Sequence, residues 1–208
     1  MNDGWGPKRR NSKLADGISY ECRAKFKFRE NRIIKSTGAN GIPEIEMWYD
    51  GACAPCNPGG TGSYGVIIKR GTEVLFEESK VVGSGPTISN NVAEYAGVIA
   101  GMEWLIGHGF EKSKILVRGD NKMSVMQMAG FWKVRSWGGL YVPFWRQAQE
   151  LIKNFKSIDF KWIPREENGE ADEISKRALK ESGVEFRIQR EDDPLTTEYK
   201  AVMRVTCL

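Results

Sequence analysis

The chain has 208 residues, 40% of them hydrophobic, which is enough to fill the core of one ordinary domain with segments to spare and excludes general disorder. No apolar run approaches the ~20 residues needed to span a bilayer, and four cysteines are too few for a disulfide scaffold. The formal charge of +4 is unevenly placed, since residues 1–44 hold 10 Lys/Arg against 5 Asp/Glu while the remaining 164 hold 21 against 22. That basic arm points to a polyanionic partner, with nucleic acid the leading candidate. Met1 to Arg10 lack the apolar core of an export signal, so the cytoplasm is the expected location.

Residues 1–17 carry Gly, Pro, Asn, Asp and basic residues without periodicity and read as a mobile arm. Ile18 to Ile34 interleaves Tyr20, Phe26 and Phe28 with Arg23, Lys25, Lys27 and Arg29, the pattern of a short basic strand or hairpin. Ser36 to Pro43 reads as a linker. The main domain, residues 45–182, opens with a strand over Ile45 to Gly51 and a Pro/Gly-rich loop over Ala54 to Gly62. Ser63 to Lys69 and Glu73 to Val82 follow as strands that a turn at Arg70-Gly71 pairs into a hairpin.

Ser89 to His108 places Tyr95, Ile99, Met102 and Ile106 at a period near 3.6 and predicts a helix. Lys114 to Arg118 is a buried-type strand, followed by Asp120 and a short helix through Met128. Val142 to Phe155 is predicted helical, Ile158 to Ile163 a strand, and Gly169 to Ser182 the last helix. The order β-β-β-α-β-α-α-β-α implies an α/β fold, a mixed sheet with helices on its faces. Residues 183–208 form a C-terminal extension in which Thr196 to Val205 alternates well enough for an edge strand.

Four acids occupy comparable positions in this order. Asp50 ends the first strand, Asp120 follows the fourth, and Glu94 and Asp172 lie near the starts of their helices. Strand ends and helix starts along one sheet edge are where ligand sites form in α/β folds. Gathered carboxylates raise one another's pKa, and a hard divalent cation resolves the conflict. Two such ions ~4 Å apart can clamp the attacking and leaving oxygens of a phosphodiester. Taken singly, Glu94 or Asp172 reads more simply as a helix-start capping residue.

The local sequences around all four shift that balance. MWYDGACAPCNPGG, SNNVAEYAGVIAGMEWL, ILVRGDNKMSV and WIPREENGEADEISKRAL resemble, in order, the four signature blocks of type 1 ribonuclease H. The resemblance covers about residues 45–182 and implies the ribonuclease H-like fold, a five-stranded mixed sheet of order 3-2-1-4-5. It implies that Asp50, Glu94, Asp120 and Asp172 are catalytic and hold two Mg²⁺ or Mn²⁺ ions, with Asp50 bridging both. It further implies an RNA–DNA hybrid as partner, cut in its RNA strand to leave 3′-hydroxyl and 5′-phosphate ends.

By the same blocks, Asn90, Asn91 and Asn57 match positions that read the minor groove, and Ser89 a position that grips a DNA phosphate. Asn168, in the last loop, is counted with them. Recognising 2′-hydroxyls needs groups that both donate and accept, as amides do. Asn57 reads equally well as the residue that shapes the Pro58-Gly59 turn, and Asn90 or Asn91 as a cap of the helix.

The chain departs from the family in three places. Pro164-Arg165-Glu166-Glu167-Asn168-Gly169 has no histidine where many members carry a mobile one, and it resembles a P-R-E-E-N subgroup. The single histidine, His108, reads as a surface or helix-terminus residue. No long basic handle separates Asp120 from Val142; Phe131, Trp132, Lys133, Arg135 and Trp137 stand there, a mixture that can grip a DNA strand or pack beneath the helix. Cys53 and Cys56 read as thiols near the site or as a loop-tightening disulfide, with zinc disfavoured for want of further ligands. No obligatory protein partner is implied, and a monomer is expected. The competing readings are a ribonuclease H-fold nuclease acting on a junction or double-stranded RNA, and a non-catalytic hybrid-binding module.

Overall fold

In the first strand, Ile45, Met47 and Tyr49 alternate toward a buried face, and from Tyr49 to Ala52 both faces are covered. This strand, β1 (Ile45–Ala54), runs three residues past its expected end. The structure is a computed structural model and describes residues 43–135 and 139–184. The elements predicted over Ile18–Ile34 and Thr196–Val205, and Trp137, lie outside them.

β1 pairs antiparallel with β2 (Thr61–Arg70), which turns at Gly71 into antiparallel β3 (Glu73–Ser84). Helix α1 (Asn90–Gly107) leads to β4 (Lys114–Gly119), parallel to β1. Helices α2 (Lys122–Met128) and α3 (Val142–Ile152) precede β5 (Ser157–Trp162), parallel to β4. A 3₁₀ turn over Arg165–Glu167 then enters α4 (Gly169–Glu181). The strand order is β3-β2-β1-β4-β5, as the resemblance implies. Helix α3 ends three residues before the expected Phe155. There the N–H groups of Lys153, Asn154 and Phe155 bond carbonyls three residues back, and Asn154 Nδ2 also donates to Leu151 O.

One sheet face packs on α1, burying Met47, Tyr49, Val98, Met102 and Leu105 together. The opposite face of β2 meets α4 through Ala171, Ile174 and Ser175, and Ala178 N–H donates to Ser79 Oγ of β3. Two close approaches set where these helices sit. A Cβ on Gly51 would lie 2.3 Å from the Glu94 backbone nitrogen, and one on Gly65 would lie 2.4 Å from that of Ser175. Glycine at both positions lets each helix lie directly on the strands. No helix among the described residues is long and apolar enough to cross a membrane.

Candidate active site

Parallel pairing sets Trp48 opposite Arg118, and continuing that register by two residues brings Asp50 level with Asp120 at the end of the sheet. Gly51 admits the second turn of α1 against the end of β1, and this delivers Glu94 to the same place. The ligand oxygens of Asp50, Glu94 and Asp120 consequently lie within 4.8 Å of one another. Asp172 is outside that tight group but lines the same open cavity of about 330 Å³, beside Asn90, Asn121, Arg165 and Lys176.

The acids carry unequal strain. Asp50 is 6% exposed, and burial pushes its carboxyl up to about 6. A hydrogen bond from Ser175 Oγ to Asp50 Oδ2 (2.7 Å) opposes this rise, Asp120 and Asp172 add to it, and Arg165 opposes it. Glu94 is 2% exposed and lies well above the ordinary carboxylate range, first through burial and then through Asp50 and Asp120. Its Oε2 has no partner among the described residues. A buried carboxylate oxygen left bare beside two further acids suits a hard cation. Asp172 is instead neutralised from within the chain, by Arg165 Nη2 at 2.7 Å and by Lys176.

The helix-start readings resolve differently for each residue. Ser89 caps α1, accepting from Val92 N–H at 3.3 Å, so Glu94 does not cap it and neither do Asn90 and Asn91. Asn57 Oδ1 accepts from Asn90 N–H (2.9 Å), tying the Pro58-Gly59 loop to the start of α1. Asn91 Oδ1 accepts from Asn121 Nδ2 (3.2 Å). Asn168 is 1% exposed, and its Nδ2 donates to Tyr49 O (3.0 Å) and Asp120 Oδ1 (3.2 Å), so it braces the acids from behind, while its Oδ1 is buried without a partner among the described residues.

Sequence reasoning missed Ser175, Asn121, Arg165 and Lys176. Two signals were available: Ser175 is the polar residue on an otherwise apolar helix stripe, and Lys176 stands four residues after Asp172. Phe131 and Trp132 are exposed, so Trp132 does not pack beneath the helix. The thiols of Cys53 and Cys56 are free, with Cys53 Sγ donating to Cys56 O (3.2 Å).

His108 is the C-cap of α1, stacked on Trp104 at 4.0 Å with Nδ1 2.8 Å from Trp104 O, far along the helix from the acids. His108→Ala is expected to leave activity unchanged and to lower the melting temperature slightly through the lost stacking contact. A hundredfold loss of rate in a folded mutant would show that this residue has been misplaced.

Comparison with known proteins places this geometry in context. The model of the family described as Reverse transcriptase-like matches residues 48–178. A bifunctional protein of Mycobacterium tuberculosis is 37% identical over 127 residues, 59% of this chain and 32% of that protein, so the matched segment spans about a third of that relative. The solved N-terminal RNase H domain of a Mycobacterium tuberculosis protein, fused to maltose-binding protein, superposes with a TM-score of 0.60 at 31% identity, covering 68% of this chain and 97% of that one. The structure of LC11-RNase H1 in complex with an RNA/DNA hybrid gives a TM-score of 0.59 at 29% identity, covering 66% and 98%.

Proposed function

This chain belongs to the reverse transcriptase-like family and has the ribonuclease H fold, and from that membership and its acidic cavity we infer an endoribonuclease that hydrolyses the RNA strand of RNA–DNA hybrids. The observation that carries the reading is the convergence of Asp50, Glu94 and Asp120 with a bare buried oxygen on Glu94. All the donors are hard oxygens, which suit Mg²⁺ or Mn²⁺. These three acids, with Asp172 across the cavity, would hold two such ions. Bound there, the ions would activate a water and stabilise the departing 3′-oxygen, leaving 3′-hydroxyl and 5′-phosphate ends.

The chain's own residues do the rest. Ser175 and Asn168 fix the carboxylates of Asp50 and Asp120 before substrate arrives. Arg165 and Lys176 hold the Asp172 carboxylate in place from either side. Ser89, Asn90, Asn91 and Asn57 gather around the start of α1, where they offer hydroxyl and amide groups to the hybrid's minor groove and to a DNA phosphate. The RNA/DNA complex of LC11-RNase H1 supports the choice of substrate.

The test is a labelled hybrid incubated with Mg²⁺, Mn²⁺ or excess chelator, beside double-stranded RNA and a DNA junction. Cleavage of the hybrid with either metal and none in chelator is expected. Cleavage that survives the chelator, or preference for the junction or double-stranded RNA, would overturn the reading.

None of the residues assigned to this chemistry belongs to the basic arm. Removing residues 1–40 should raise KM for the hybrid and leave kcat within a few fold. The log-affinity slope against log salt should become shallower by ~0.9 per lost phosphate contact. A large fall in melting temperature with an unchanged salt slope would mean that the arm is structural.

A further inference from the structure

Asp120 is anchored from outside the cavity by a side chain that the acidic site does not use. Trp162, the last residue of β5, donates its indole Nε1–H to the Asp120 carbonyl at 2.8 Å. Beside it, Ile163 N–H donates to Gly119 O at 3.0 Å, so the end of β5 is stitched to the segment carrying the acid. Despite that anchor, Trp162 remains 41% exposed. Lys122, two residues after Asp120 and the first residue of α2, holds its ammonium over the ring, 5.8 Å from the centroid.

Lys122 differs from the cations inside the cavity. Arg165 and Lys176 are both spent on Asp172, whereas Lys122 has no carboxylate within ion-pair distance among the described residues. A fixed aromatic face with a cation poised over it can stack on a base or sugar and hold a phosphate. The anchor matters here, because a ring already held by its N–H loses little freedom on contact. A strand seated on Asp120 carries one phosphate for every ~3.4 Å of duplex axis, so a neighbouring phosphate falls beyond the cavity on each side of the cut.

We propose that Lys122 and Trp162 form a subsite for the RNA strand next to the cut bond, with Lys122 taking a neighbouring phosphate and the Trp162 ring the adjoining base or sugar. The same indole then acts as a positioning residue for Asp120, since its N–H bond ties the acid's backbone to the surface that the substrate touches. This inference rests on the ribonuclease reading above.

The test uses the full chain and four variants: Lys122→Gln, Lys122→Arg, Trp162→Phe and Trp162→Leu. Binding of a labelled RNA–DNA hybrid is measured across a salt series in chelator, and cleavage kinetics with Mg²⁺. Lys122→Gln should weaken binding and flatten the salt slope by ~0.9, the loss of one phosphate contact, and Lys122→Arg should restore it. Trp162→Phe keeps a ring but loses the N–H, so kcat should fall several-fold with KM little changed. Trp162→Leu loses both and should raise KM about tenfold as well.

An unchanged salt slope in Lys122→Gln, or equal KM values for Trp162→Phe and Trp162→Leu with intact melting curves, overturns the subsite. Failure of the underlying reading looks different. A wild-type chain that binds with a Lys122-dependent slope yet cuts no hybrid keeps the contact and removes the activity.

Discussion

Asp50→Asn should cut the hybrid at least about a thousandfold more slowly than the native chain while binding it nearly as well. In chelator, the same mutant should melt at a higher temperature than the native protein. The thermal effect follows from the burial of a charge. Burial lifts the Asp50 carboxyl from 3.8 to about 6, which corresponds to roughly 3 kcal/mol against the ionised form. Because the folded value lies above the unfolded one, the folded state holds the proton more tightly. That stability is fully present below pH 3.8 and is lost as pH rises through about 6.

Without metal, then, the native chain should lose melting temperature between pH 4 and 7, and a divalent cation should restore it. Asparagine keeps the shape and the acceptor for Ser175 but carries no charge, so it should flatten this dependence. Some slope should remain from Glu94, which burial, Asp50 and Asp120 also push upward. Full activity in Asp50→Asn would remove Asp50 from the site. A melting temperature in chelator no higher than native would remove the account of its strain.

The largest effect on folding is expected at two glycines. In Gly51→Ala the added carbon would fall 2.3 Å from the Glu94 nitrogen and 2.8 Å from the Ala93 carbonyl carbon, and backbone cannot swing aside as a side-chain tip can. Helix α1 must therefore lift from β1 and carry Glu94 away from Asp50. Gly65→Ala meets Ser175 N at 2.4 Å and Ala171 O at 2.6 Å, displacing α4 with Ser175 and Asp172. Each should cost about 3 kcal/mol or more, the upper part of the range for overpacked cores, and should abolish most activity. Gly169→Ala is the control, because nothing lies within 4 Å of its added carbon and alanine favours the helix that starts there. Equal melting temperatures for Gly51→Ala and Gly169→Ala would refute the close approach.

Much of this architecture could be read from residue patterns. Ile45, Met47 and Tyr49 alternate because one face of β1 is buried, and Tyr95, Ile99 and Met102 repeat near 3.6 because one side of α1 is. Such periods are local, so every strand and helix of the described domain could be placed to within a few residues. The ends were less legible. Whether β1 stops at Gly51 or Ala54 depends on β2, whose Thr61 pairs with Ala54 across the sheet. The four acids were visible through their surrounding motifs, but their inequality was not. Asp50, Glu94 and Asp120 converge while Asp172 is tied to Arg165 and Lys176.

Asn168 shows the same limit, since its neighbours in the chain suggest an exposed loop and only the packing of Tyr49 and Asp120 against it buries its amide. Sequence alone determined the elements and their order and singled out the four acids as candidates, because periodicity and motif spacing act over a few residues of chain. Tertiary structure alone decided which acids share a cation-sized space and which side chains brace them. Those relations join residues up to 125 positions apart, as Ser175 meets Asp50, and depend on the close approach of two helices to glycine-bearing strands.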